Sequence, residues 1–258
     1  MIGLYDCHAH IIGPTPHDAD WPHETPAATL SDYISELDAN GIAKGVLVQP
    51  RAHGFDNSLI LDAIARYPNR LRGVAVVPAD ADADTLHKLH AAGIRGVRLG
   101  GKVAVSELPR VWPNLARAGL HVQLLMRRDD LLRHADAIAN CPVPVIIDHL
   151  AHPDPLEGVD GLHVATLNRL LSLGHVFAKL TAVYRWAHAT DHGDARAITT
   201  HIASRHASRL VWGSDWPFLN QPTPGPSFAG QMAFFHHAVP DRFRTAILEY
   251  VPRVLYGI

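Results

Sequence analysis

The 258-residue chain is poor in cysteine, in charge of either sign and in long apolar runs. Its two cysteines, Cys7 and Cys141, form neither a disulfide framework nor a zinc motif. Net charge is −2 with histidine neutral, and no run of Lys or Arg occurs, which argues against nucleic acid or an anionic membrane surface as partner. No apolar stretch approaches the ~20 residues of a membrane span. The chain opens in strand-like sequence without a signal-peptide pattern, so the expected setting is a reducing cytoplasm. Also missing is a Gly-rich phosphate loop after an early strand, the mark of an open nucleotide-binding sheet.

What is present is a repeat. Short Val/Ile/Leu-rich runs at 2–7, 45–49, 73–77, 96–99, 121–126, 143–148, 176–180 and 210–214 read as strands buried on both faces. Amphipathic stretches at 30–39, 59–67, 84–92, 108–118, 129–140, 164–173, 195–206 and 242–251 alternate with them as helices. Gly41, Gly93, Gly119 and Gly174 stand where a left-handed residue would end a helix. Eight strands and eight helices in alternation predict a single-domain (β/α)8 barrel over 1–258. Two long Pro-rich loops, 11–28 and 219–230, follow strands and are candidate lids on the catalytic face.

In such a barrel the chemistry belongs at the carboxyl ends of strands. There the sequence places His8 and His10 in Asp6-Cys7-His8-Ala9-His10, then Gln49 with Arg51, Arg98 with Lys102, Asp148-His149, Lys179 with Thr181 and Arg185, and Ser214-Asp215-Trp216. Strand alternation sends His8 and His10 to one face, where paired imidazoles beside an acid can bind a metal or polarise a carbonyl. A chain with 19 histidines also yields His-X-His by chance, so it is the asymmetry between polar strand ends and apolar strand starts that points to a site. Lys179 inside a barrel requires a partner, either Asp215 or a bound anion.

Taken together, these segments resemble the amidohydrolase superfamily, in particular its 2-pyrone-4,6-dicarboxylate lactonases and related lactone hydrolases. The matching pieces are Asp6-Cys7-His8-Ala9-His10, Gly45-Val46-Leu47-Val48-Gln49, Arg95-Gly96-Val97-Arg98, Val145-Ile146-Ile147-Asp148-His149, Val176-Phe177-Ala178-Lys179-Leu180 with Tyr184-Arg185, and Leu210-Val211-Trp212-Gly213-Ser214-Asp215-Trp216-Pro217. The resemblance implies a distorted (β/α)8 TIM barrel that hydrolyses a small, anionic cyclic ester. It implies Asp215 as general base, His8, His10 and His149 on the carbonyl oxygen, and Arg98 and Arg185 on substrate carboxylates; Lys179 and Arg51 join the expected substrate contacts. Metal-binding members carry a His at the end of the fifth strand, where this chain reads Gln123-Leu124-Leu125-Met126. The fourth strand offers Arg98 in place of a bridging carboxylate, which predicts no binuclear centre. Activity without a required cofactor is the expectation; the alternative is one divalent metal such as Zn on His8, His10 and Asp215. Ala104 and His152 stand where dicarboxylate lactonases carry Arg, so the resemblance does not fix the exact substrate. The rival functions are a metal-dependent decarboxylase and a non-catalytic barrel holding an anionic metabolite.

Overall fold

Strands and helices alternate along the chain in the computed structural model, which describes residues 3–14, 27–219, 221 and 225–258. The strands are β1 (Tyr5–Ala9), β2 (Lys44–Val48), β3 (Leu71–Ala75), β4 (Ile94–Leu99), β5 (His121–Leu124), β6 (Val145–Ile147), β7 (Val176–Leu180) and β8 (Leu210–Trp212). All neighbours are parallel, and the sheet runs in sequence order from β1 to β8. Around it lie α1 (Leu30–Ala39), α2 (Ser58–Arg66), α3 (Ala83–Ala91), α4 (Leu108–Ala118), α5 (Arg128–Ala139), α6 (Leu162–Leu171), α7 (Arg196–His206) and α8 (Phe228–Ala238). The chain ends in α9 (Asp241–Thr245), a π turn over Ala246–Tyr250 and α10 (Val251–Tyr256). This is a (β/α)8 barrel. No described helix is long and apolar enough to cross a membrane.

Two apolar layers follow from strand alternation. Val46, Val48, Val74, Ile146, Phe177 and Val211 point inward and close the lower barrel with Tyr5, Cys7, Val251 and Tyr256. Their neighbours Leu47, Ala75, Val145, Ile147, Ala178 and Leu210 point outward into the larger layer beneath the helices. The residues that continue the inward rows toward the carboxyl ends are Arg98, Gln123, Asp148 and Lys179, all buried. Polarity therefore replaces apolar packing chiefly at the carboxyl end of the barrel; near the other end the buried His121 packs on Tyr256.

The four glycines at the expected helix stops all have positive φ. The strands are shorter than the apolar runs: Met126, Asp148 and Ser214 lie beyond the ends of β5, β6 and β8. The largest correction concerns the region after β8. The sequence reading places one helix at 242–251 there, whereas the chain forms α8 first, starting in the last three residues of the stretch read as a Pro-rich loop and running beyond it. Phe228, Met232, Phe234 and Phe235 put apolar side chains on several sides of α8, so its amphipathic contrast is weak. Most of loop 11–28, with His17, Trp21 and His23, lies outside the described residues, as do Pro222 and Pro224 of the second loop. The ends of the first loop are tied by Ile12 N donating to Ala28 O at 2.8 Å and Ala28 N to Ile12 O at 3.0 Å.

The barrel closes past the end of β8. Asp215 N donates to His8 O and His10 N to Trp216 O, each at 2.8 Å. Asp6 clamps this seam from outside the barrel. Its Oδ1 accepts from His8 N at 3.1 Å and Ser214 N at 2.9 Å, and its Oδ2 from Ser214 Oγ at 2.6 Å and the Tyr33 hydroxyl at 3.1 Å. Gly213 is required here, because a Cβ would lie 2.6 Å from His8 N. Asp6→Ala strands four buried donors at once. We expect it to destabilise the fold by about 3 kcal/mol or more, lowering the melting temperature by about 6–12 °C for a chain of this size. A melting curve superimposable on that of the native protein would show that the seam does not depend on Asp6.

Candidate active site

The catalytic-face histidines come together through an irregularity in β1. Between Asp6 and Ala9 the register with β2 slips, three steps on β1 against two on β2. Simple alternation from the inward Tyr5 and Cys7 would turn His8 outward. The bulge restores it to the barrel axis, while Ala9 faces the outer layer and His10 turns inward again. His8 Nε2 stands 3.5 Å and His10 Nε2 3.6 Å from Asp215 Oδ1. The His8 ring lies 4.8 Å from that of His149 and 5.0 Å from that of His10, centre to centre.

Strained backbone delivers the other two groups. His149, Leu150, Ala151 and His152 are four consecutive non-glycine residues with φ between 52° and 56°, each costing roughly 1–2 kcal/mol relative to the right-handed form. Asp215 and Ala182 also have positive φ. Strain of this kind concentrates where a site over-determines the chain. The His149 ring is held by a 2.6 Å hydrogen bond between Nδ1 and Thr181 Oγ1, and that of His10 by Nδ1 donating to Val48 O at 2.7 Å. His152 Nδ1 donates to Met126 O at 3.2 Å, beside His149.

Beneath these groups lies a buried array of charge. Asp148 Oδ2 accepts from Arg98 Nε at 3.1 Å and Gln123 Nε2 at 3.0 Å. Lys179 Nζ donates to Cys7 O at 2.8 Å and Gln123 Oε1 at 2.7 Å, and lies 3.3 Å from His8 Nδ1 and 3.6 Å from Asp148 Oδ1. The carboxylate partner of Lys179 is therefore Asp148, not Asp215, and its ammonium is fully buried, as are His8 and Asp215. Arg185 Nε donates to Asp215 Oδ2 at 2.9 Å, the Tyr184 hydroxyl donates to the same oxygen, and Arg185 Nη2 reaches Leu219 O at 3.3 Å. Arg98 and Arg185, read from sequence as binders of substrate carboxylates, thus each hold a carboxylate of the protein. Arg51 is exposed at the mouth, in a crevice also lined by Gln49, Gly54, Arg98, Lys102 and Leu125.

The electrostatics follow. Burial opposes ionisation of Asp215, but Arg185, His149 and His10 outweigh it and hold its carboxyl well below the usual range. Asp148 is depressed likewise, burial being outweighed by His8, Lys179 and Arg98. Burial, reinforced by Lys179, lowers His8 to about 3, and burial holds His149 far below its ordinary value. At neutral pH the centre therefore presents two carboxylates and, at His8 and His149, neutral imidazoles. Among the described residues His8 Nε2 and Asp215 Oδ1 have no hydrogen-bond partner although both are buried. Such orphans mark where a reacting atom, a water or an ion would sit. The donor set fits one divalent cation: His8 Nε2 and His10 Nε2 each stand from Asp215 Oδ1 near the roughly 3.4 Å that tetrahedral zinc bonds of about 2.0–2.1 Å imply, and all three donors lie within 4.8 Å of one another.

Sequence reading assigned no task to Gln123, Tyr184 or Asp148. Gln123 was legible as a lone amide on an inward position of a buried apolar strand. Tyr184 was not, since its hydroxyl meets Asp215 only because the loops after β7 and β8 fold together.

A pH effect on stability comes from the buried histidines. His8 and His121 ordinarily take a proton near 6.5 and in the fold only near 3. Between these values the unfolded chain binds more protons, so stability rises with pH and is lost as pH falls, by up to about 1.4 kcal/mol per pH unit for each histidine. Asp6, raised by burial from 3.8 to about 6, binds its proton more readily in the fold and opposes the trend between those values. We expect the urea midpoint to fall between pH 7 and pH 4; a midpoint independent of pH would mean that the two histidines are charged in the native state.

Comparison with known proteins places this geometry. The chain is 31% identical over 270 residues to 4-sulfomuconolactone hydrolase of Rhizobium radiobacter, covering 99% of this chain and 90% of that protein. It is 28% identical over 257 residues to 2-pyrone-4,6-dicarboxylate hydrolase of Comamonas testosteroni, covering 92% and 84%. A probable 2-pyrone-4,6-dicarboxylic acid hydrolase from Acinetobacter baumannii, solved with citric acid bound, superposes with a TM-score of 0.89 at 26% identity over 99% of this chain and all of that one. The amidohydrolase profile matches residues 5–258, and the chain belongs to the amidohydrolase family.

Proposed function

We propose that this protein hydrolyses a small anionic lactone. The observation that carries this reading is the convergence of Asp215 Oδ1 with His8 and His10 at 3.5–3.6 Å, with His149 alongside. Ring opening needs a base for water, donors for the carbonyl oxygen and a proton for the leaving oxygen. Arg185 and Tyr184 occupy Asp215 Oδ2, which leaves Oδ1 as the base. Its low pKa keeps it ionised; it takes its proton because water acidifies as the new C–O bond forms.

The oxyanion is held by His8 and His149. The proton leaving the water is shared between Asp215 Oδ1 and His10 Nε2, so His10 gains positive character as the carbonyl oxygen becomes negative. Collapse of the tetrahedral intermediate breaks the ring C–O bond, and the same proton passes to the departing oxygen. The product is an acyclic acid bearing a hydroxyl, or the carbonyl to which an enol isomerises. Arg98 at the edge of the crevice, with Arg51 and Lys102 nearby, supplies the positive field for the substrate's anionic substituent. The relatives named for sulfomuconolactone and pyrone-dicarboxylate support an anionic lactone as the substrate class.

Turnover on the protein's own groups is our reading of the cofactor requirement. Gln123 supports it, because the inward position on β5 is already committed to Lys179 and Asp148. The spacing of the His8, His10 and Asp215 donors favours a second form of the same reaction, in which those three residues hold one divalent cation. A cation there would supply a Lewis acid and a more acidic bound water.

Two measurements decide. Asp215→Asn should lower kcat on a responsive lactone by at least about 10³-fold with the fold intact; a variant that retains most of its activity would move the base elsewhere. In the native enzyme, elemental analysis should find well under one equivalent of Zn or Mn, and activity should survive a chelator. Stoichiometric metal whose removal stops turnover would assign the cation-assisted form.

A further inference from the structure

The most deeply buried cation in the barrel is unused by the reaction as described. Lys179 has no exposed surface and sits below the histidines, 3.3 Å from His8 Nδ1. An ammonium has three hydrogens and no lone pair, so it can only donate. Two of the three go to Cys7 O at 2.8 Å and Gln123 Oε1 at 2.7 Å. The orientation of Gln123 is itself settled, since its amide nitrogen donates to Asp148 Oδ2 at 3.0 Å and its oxygen must therefore face Lys179. The third hydrogen has His8 Nδ1 within reach. The competing partner of that nitrogen is Asp148 Oδ1, also 3.3 Å away, but this oxygen makes no hydrogen bond among the described residues.

The consequence reaches the reacting face. A neutral imidazole carries one hydrogen. If Nδ1 accepts from Lys179, the hydrogen is on Nε2, the nitrogen turned toward Asp215 Oδ1. If Nδ1 donated to Asp148, Nε2 would be a bare lone pair, the form a metal ligand requires, its other nitrogen bonded to a carboxylate. We propose that Lys179 is a positioning residue that fixes His8 in its Nε2–H form, making it an oxyanion donor and withholding it as a metal ligand. This rests on the hydrolase reading for its chemical purpose, but not for its test. In this chain one buried lysine separates the two forms of the reaction. The same donors would close on a cation once Nδ1 passed to Asp148.

Two experiments test this. In the metal-free native enzyme labelled with 15N-histidine, and with His8→Asn used to assign the signal, His8 Nε2 should show the protonated type of shift and Nδ1 the bare type. The reverse pattern overturns the proposal. Lys179→Met removes the donor with little change of volume, and Nδ1 of His8 should then donate to Asp148. We expect the folded variant to bind Co²⁺ at least about tenfold more tightly than the native enzyme, read by visible absorption. We also expect kcat to fall by about 10²-fold, the cost of one oxyanion donor, with KM changed less than threefold. Unchanged cobalt affinity, or unchanged kcat, in a folded variant overturns the proposal; if the variant does not fold, the native NMR pattern decides alone. The NMR and cobalt readouts need no substrate, so failure to open any lactone would sink the hydrolase reading without touching this one.

Discussion

The site depends on the seam where the first strand meets the chain beyond the last. A parallel barrel must join its two edges, and here the join is made not by β8 but by residues 215 and 216, through backbone bonds to His8 and His10. The residues that close the barrel are thus those that carry Asp215, the proposed base, and the two histidines. Asp6 holds the seam from the outer face, gathering four hydrogen bonds from β1, α1 and the Ser214 turn. The β1 bulge does the complementary work on the inner face. It brings Cys7 and His8 inward in succession, the first into the lower core and the second into the candidate site. Barrel closure and the geometry of the candidate site therefore cannot be varied independently at this seam.

The second constraint is the charge balance under the histidines. Arg98 and Lys179 face Asp148 where almost no solvent reaches, and the partly exposed Arg185 covers the buried Asp215. Buried ions survive only when paired and hydrogen-bonded. This array meets that condition at most of its atoms and fails it at Asp148 Oδ1, Asp215 Oδ1 and His8 Nε2. Two of these orphans face each other across the candidate reaction centre. The excess of positive charge, three cations against two carboxylates, suits an anionic substrate and an oxyanion. It also explains why the imidazoles of His8 and His149 stay neutral, since each would add a further buried cation.

Much of this was legible in the sequence, for reasons that are local. The short, nearly continuous apolar runs predicted all eight strands, because a parallel strand buried on both faces has few polar residues to interrupt the run. α1 and α4 matched their sequence ranges to the residue, since Gly41 and Gly119 mark chain reversal unambiguously. Polar side chains at strand ends named His8, His10, His149 and Asp215, which the fold brings together. α8 was lost because its apolar residues lack a polar side to set them off, and Pro-rich sequence before it read as loop.

What the sequence alone determined is the order of elements, the end of the barrel that carries chemistry, and the residue types available there. Only the tertiary structure decided their partners. Arg98 and Arg185 read alike in the sequence, as ion-pair partners or as ligand contacts, and each is bound to a carboxylate reached from a different strand. Lys179 was known to need a partner, but whether that was Asp148 or Asp215 turned on which of two neighbouring strands its ammonium could reach. Strand periodicity fixes the direction of a side chain along one strand. Hydrogen-bonded pairing inside a barrel depends on the stagger between strands and on one bulge, and these are set by how the whole sheet closes.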